Sequence, residues 1–190
     1  MDRRRALDDR LLDLVGAIDG QPFDGTMWRA VRTGRDVLDG SRGSGRWNNS
    51  EMSVLYGAAE RDGAIAETHF HLSRGQSVFP SRMRHEVFEL TVKAQHALIL
   101  ADMEQLKQLG VDDRRYRELL YTRTQEIGAA AAFLGFDGLI VPSARWDCQN
   151  IILFLDAINL EEVHKISVQP IDWKTWGGGP YSSRSSAEQA

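Results

Sequence analysis

Two arginines, an aromatic residue and a carboxylate stand close together in the first half of the chain: Arg29 in TMWRAV (26–31), Arg46 in DGSRGSGRWNNS (39–50), Tyr56 in SVLYGA (53–58) and Glu67 in AIAETHF (64–70). Guanidinium groups offer planar forks to paired phosphate oxygens, a ring offers a face for stacking, and a carboxylate can act at a reacting carbon. Such a set suits an anionic ligand that carries an aromatic ring. Glycines in the 39–50 segment would let backbone N–H groups approach an anion, and Gly40 and Gly45 have the spacing of a phosphate-binding P-loop. Arg46 and Trp47 then stand where that loop requires Lys and Ser or Thr, which argues against a nucleotide triphosphatase. Glycines at 40, 43 and 45 do not form G-x-G-x-x-G either. A solvated surface loop is the plain alternative, and Trp47 and Asn48 are unusual company for one. Glu67 follows Ala64, Ile65 and Ala66, so it is not simply a member of a charged helix face. Ser143 closes GLIVPS just after a proline that stops a strand, where pocket residues emerge but turn residues do also.

Other groups fit chemistry less well. His69 and His71 lie two apart in a helical segment and point to different faces, so no metal site is expected. Cys148 is the single cysteine, with His164 the nearest histidine after it and no third member for a nucleophilic set. Arg29, Arg32, Arg35, Arg42 and Arg46, flanked by Trp28 and Trp47, could form a nucleic-acid-binding module, but the formal charge of -4 opposes that reading.

The elements that must position these residues follow from periodicity. Leu7, Leu11, Leu14, Val15 and Ile18 predict an amphipathic helix over 3–18, packed on its own domain or offered to a partner. Strands are expected at 26–31 and 53–58 around a long loop (33–50), then a helix over 60–73 closed by Gly75, and a half-buried strand at 85–94. A separate apolar run at 96–101, a short helix at 102–109 and the longest helix at 114–135 come next, and strands at 137–143, 149–155 and 164–170 complete the pattern. Residues 177–190 have nothing to bury and read as a disordered tail. The division is thus an N-terminal helix (1–20), a catalytic domain (21–176) and the tail, forming a single α+β domain of mostly antiparallel strands with flanking helices. A length of 190 residues allows one sizeable core. One cysteine, no apolar leader and no run near the ~20 apolar residues of a membrane span make the expected location cytoplasmic, with no role at a membrane.

WRAVR, GSGRWN, VLYGAAERDGAIAE and GLIVPSAR, in that order over residues 26–170, resemble the RES-domain family, the toxin half of bacterial toxin–antitoxin pairs named for an Arg, a Glu and a Ser. The resemblance implies a fold similar to ADP-ribosyltransferases and a reaction on NAD+, which is substrate rather than cofactor. It implies that Arg29 and Arg46 grip the pyrophosphate, that Tyr56 stacks near the nicotinamide, that Glu67 is the catalytic carboxylate with Arg29 and Tyr56 beside it, and that Trp47, Asn48 and Ser143 complete the NAD+ pocket. Ser44 stands where many members carry a second glycine, a mild departure. No metal is needed. NAD+ degradation with water or phosphate as acceptor is the leading expectation, and ADP-ribosylation of a target protein is the alternative. The implied partner is an Xre-like antitoxin that blocks the active site, with nucleic acid engaged only indirectly through it.

Overall fold

The computed structural model describes residues 7–41, 43–74 and 82–176. The start of the leading helix (3–6), Arg42, Gly75 and the tail from 177 lie outside the described residues. Six strands and four helices run in the order α1 (Asp9–Gly16), β1 (Gln21–Arg32), β2 (Val54–Ala58), α2 (Arg61–Ser73), β3 (His85–Ile99), α3 (Met103–Gln108), α4 (Thr122–Phe133), β4 (Gly138–Pro142), β5 (Gln149–Phe154) and β6 (Val163–Pro170). The result is the expected mixed α+β domain.

The sheet order is β1-β2-β5-β4-β3-β6, and β1 also pairs β3, so five strands close on themselves while β6 extends the sheet from β3. Every pairing is antiparallel except β3–β4. β3 makes this closure possible. One edge follows β1 from His85 to Ala97, and the other is divided between β6 at 86–92 and β4 at 97–99. At the changeover the Asp137 carboxylate accepts from the backbone N–H of Gln95 (2.6 Å) and His96 (2.9 Å), replacing the missing ladder partner. The two apolar runs at 85–94 and 96–101 are therefore largely one strand, His85–Ile99, and the side-chain bridge satisfies its backbone where the ladder changes partner.

Leu11 and Val15 of α1 are buried against the cluster that holds Ile127, Ala130 and Ala131 of α4, so the leading helix packs on its own domain. A second cluster, with Met27, Leu55, Leu90 and Ile151, joins the strands. A third sets Ala64 and Ile65 of α2 against Trp28, Val87 and the C-terminal Trp173 and Trp176.

The helix expected over 114–135 begins at Thr122 instead, after a 3-10 turn at Asp113–Arg115 and an irregular stretch. Tertiary bonds account for the break. The Tyr116 hydroxyl donates to Pro142 O (2.6 Å), and Glu118 O accepts from Arg46 Nη2 (3.2 Å) rather than from a helical N–H. α4 then crosses close to the 39–50 loop. A Cβ on Gly128 would run into the Trp47 carbonyl, so only glycine allows this approach.

Three histidines link the fold to pH. Burial lowers the pKa of His69, His71 and His85 below the usual value of 6.5, and His85 Nδ1 lies 3.3 Å from the donating Trp173 Nε1. Between those lowered values and 6.5 the unfolded chain binds more protons than the folded one, so stability is full above pH 6.5 and falls as the pH drops below it. Thermal melts at pH 7.5, 6.5 and 5.5 are expected to show a falling midpoint across the last interval; an unchanged or rising midpoint would contradict this assignment.

Candidate active site

α2 is built to present a carboxylate. Gly63, Ala64, Ile65 and Ala66 form one fully buried turn of the helix, and from Ala64 a stripe of Glu67, Thr68 and His71, at i+3, i+4 and i+7, lines a cleft of about 370 Å³. Opposite them stand Arg29, Tyr56 and the glycine-rich loop at Gly43, Ser44 and Gly45.

Glu67 is held by two neutral donors on a single oxygen. Ser143 Oγ lies 3.1 Å and Asn150 Nδ2 2.9 Å from Glu67 Oε1. The serine oxygen accepts from the backbone N–H of Arg145 (3.1 Å) and Trp146 (3.3 Å), which leaves its proton for the carboxylate. Oε2 receives no hydrogen bond from the described residues and is available to the cleft. The helical glutamate and the serine at the strand end, distant in sequence, thus meet in the folded chain. Asn150, on β5 beside Ala58 of β2, was not picked out in the sequence. Its only signal there is an amide, beside Gln149, at the start of an otherwise apolar strand.

Arg29 has more than one duty. Its Nε, Nη1 and Nη2 donate to Val37 O (2.9 Å), Tyr56 O (2.7 Å) and Asp39 O (2.9 Å), tying β1 to β2 and to the loop between them. Burial lowers its pKa to about 10, so it stays cationic at neutral pH. Three of its five N–H groups are used, on a side chain that lines the cleft.

Arg46 is framed rather than solvated. Its guanidinium carbon lies 4.8 Å from the Tyr116 ring centre and 4.6 Å from that of Tyr121, and Nη1 is buried with no acceptor among the described residues. Tyr56 places its hydroxyl between the backbone N–H of Trp47 (2.9 Å), from which it accepts, and Asn48 Oδ1 (2.8 Å), to which it donates. Burial pushes the Tyr56 hydroxyl pKa well up, so it remains protonated and keeps that donor.

Trp47 and Asn48, expected among the ligand-binding residues, are not brought to the cleft wall. Both are fully buried. Trp47 packs in the core against Tyr116, with ring centres 6.5 Å apart. Asn48 is the hub of the loop: Oδ1 accepts from Gly45 N (3.1 Å), and Nδ2 donates to Gly43 O (3.0 Å), Asn49 O (3.0 Å) and Met52 O (3.3 Å). A Cβ on Gly45 would lie 2.6 Å from Asn48 Oδ1 and 2.7 Å from Tyr56 Oη, so this glycine serves tight closure of the loop. Trp28 is partly buried against the α2 cluster and Trp47 lies in the core, so the two tryptophans flanking the arginines do not form an exposed stacking platform for nucleic acid.

Cys148 is partly buried against Gly63, and burial pushes its thiol pKa up to about 11, the opposite of what a nucleophile needs. Among the described residues no group of three or more His, Cys, Asp or Glu side chains could hold a metal ion.

The surroundings of Glu67 are therefore cationic: Arg29 lines the cleft, and Arg46 and Arg145 stand outside its lining but within electrostatic reach of Tyr56 and Glu67 respectively. None of the three makes an ion pair with an acidic side chain among the described residues, and Glu67 is steadied by neutral donors. The arrangement can take an anion and leave one carboxylate oxygen for chemistry. A family model described as the RES domain matches residues 26–174, and the chain belongs to the RES-domain family. In fold it resembles a chain of the M. tuberculosis MbcT–MbcA toxin–antitoxin complex, with a TM-score of 0.80, 19% sequence identity, and coverage of 90% of this chain and 97% of that one. No curated protein matched the sequence.

Proposed function

We propose that the chain is the toxin of a toxin–antitoxin pair and that it binds NAD+ and cleaves the nicotinamide–ribose bond, passing ADP-ribose to water or phosphate. The observation that carries this reading is Glu67, fixed through Oε1 by Ser143 and Asn150 with Oε2 turned to a cleft that also holds Arg29 and Tyr56. Heterolysis of the bond gives its electron pair to the pyridinium nitrogen, so nicotinamide leaves neutral and positive charge moves to the anomeric carbon. A carboxylate nearby stabilises that oxocarbenium-like centre, and preorganised charge of this kind is worth about 10²–10³ in rate. The neutral leaving group needs no general acid. An acceptor oxygen then bonds the anomeric carbon; with water, the proton released passes to Glu67 or to solvent. Arg29 and Arg46 orient the diphosphate, and Tyr56 lies against the nicotinamide end.

A protein partner is supported by exposed apolar side chains near Arg46. Leu119 and Leu120, next in sequence to the Tyr121 that stacks on Arg46, are 44% and 53% exposed. An antitoxin seated there would cover the site, and its resemblance-based class is Xre-like. The same exposed side chains equally suit a protein acceptor, which is the observation favouring ADP-ribosylation as a second reading. The action is assigned to the cytoplasm, where NAD+ is at hand; no helix among the described residues is long and apolar enough to cross a membrane.

The test is inducible expression in a bacterial host with the cellular NAD+ pool followed over time. The pool is expected to fall with growth arrest, and co-expression of the adjacent antitoxin to prevent both. Growth arrest with an undiminished pool would favour protein modification; neither effect would oppose the proposal.

A further inference from the structure

Arg145 lies in the turn between β4 and β5. Its guanidinium carbon lies 3.4 Å from the Phe70 ring centre on α2, and Nη2 is buried with no acceptor among the described residues. It is within electrostatic reach of Glu67, Arg46 and Tyr121. Tyr121 is also the ring over which Arg46 stacks. Two guanidinium groups thus come near a single tyrosine, one of them over its face. Each keeps a buried N–H without a described acceptor, Nη1 of Arg46 and Nη2 of Arg145.

Two like charges close together with unmet buried donors are unfavourable for an empty structural contact. Glu67 lies within electrostatic reach of Arg145 but forms no ion pair with it or with Arg46 among the described residues. The groups do match an anion with several oxygens and more than one negative charge, since guanidinium forks bind such oxygens in pairs. Arg29, by contrast, has three N–H groups committed to backbone carbonyls.

We infer that Arg46 and Arg145, with Tyr121 beside them, form a clamp for the diphosphate of the substrate, so that Arg145 is a substrate-binding residue. The inference rests on the NAD+ reading. It assigns the principal grip on the diphosphate to this pair and leaves Arg29 chiefly the task of shaping the cleft.

Binding is measured by titration calorimetry on the purified full chain with ADP-ribose, inorganic pyrophosphate and nicotinamide riboside, which lacks a diphosphate. Wild type is compared with Arg145→Gln and with Arg145→Lys, which keeps the charge and loses the fork, after a thermal melt of each. Arg145→Gln is expected to weaken ADP-ribose by about tenfold or more, the scale of a lost charge-assisted bond, and Arg145→Lys by less. Pyrophosphate should weaken in parallel, and nicotinamide riboside should bind alike to all three. ADP-ribose binding equal to wild type in a folded Arg145→Gln overturns the inference; should that variant not fold, unchanged binding by Arg145→Lys does so. A wild type that binds pyrophosphate through Arg145 but neither ADP-ribose nor NAD+ would refute the NAD+ reading and leave the anion clamp standing.

Discussion

Glu67→Gln is expected to bind NAD+ within a few-fold of wild type while releasing nicotinamide about 10³-fold more slowly, the scale on which a preorganised charge contributes to a transition state. Glutamine is the informative replacement because its amide oxygen can still accept from Ser143 Oγ and Asn150 Nδ2, now at 3.1 and 2.9 Å from Oε1. What it lacks is negative charge at the position of Oε2, the oxygen turned to the cleft. The expected signature is a loss in kcat with KM nearly unchanged, read from steady-state nicotinamide release and NAD+ titration of the same sample. A proportional rise in KM with kcat preserved would instead make Glu67 a residue of uniform binding, and the oxocarbenium role would fall.

The second large effect concerns the loop. Asn48→Asp replaces an amide nitrogen, which donates to three carbonyls at 3.0, 3.0 and 3.3 Å, with a carboxylate oxygen that those carbonyls repel. The amide orientation is not arbitrary: Oδ1 faces two donors, Gly45 N and the Tyr56 hydroxyl, and a flipped amide would set oxygen against all three carbonyls. The site is fully buried, so the charge has no water to turn to. The cost is on the order of 3–5 kcal/mol, the range for an uncompensated buried charge. Urea unfolding should show a midpoint lowered to match with an unchanged slope. Activity should fall beyond the loss of folded protein, because Arg46 and the Tyr56 hydroxyl are positioned from the same hub. A shift below about 1 kcal/mol would mean that the loop is not held by Asn48.

Much of the site could be read from the sequence because its members stand at marked positions. Arg29 is on a strand, Glu67 is a carboxylate among small apolar helix residues, and Ser143 follows a strand-stopping proline. Asn150 could not be read in the same way. Two adjacent amides at the head of CQNIILFL carry no period, and the partner of Asn150, Glu67, is 83 positions away. Trp47 and Asn48 show the converse error. Uncommon residues in a glycine-rich loop suggest ligand contact, yet such a loop also needs anchors, and here the ring goes into the core and the amide closes the turn. The helix expected from 114 failed because helical propensity is local, whereas Arg46 takes the Glu118 carbonyl from 72 positions away. Strand pairing was less legible still. That 85–94 and the following apolar run are largely one strand serving three partners depends on Asp137, which only the fold brings to Gln95 and His96.

The central claim is that this cleft breaks the nicotinamide–ribose bond of NAD+. The most direct test is nicotinamide release from NAD+ by the purified chain freed of any antitoxin, in buffer alone, with added inorganic phosphate and with a bacterial protein extract, each beside Glu67→Gln. Release by wild type and not by the variant is expected, in buffer or with phosphate, and the product, ADP-ribose or its phosphorylated form, would identify the acceptor. A folded wild-type protein that binds NAD+ and releases no nicotinamide under any of the three conditions would contradict the account.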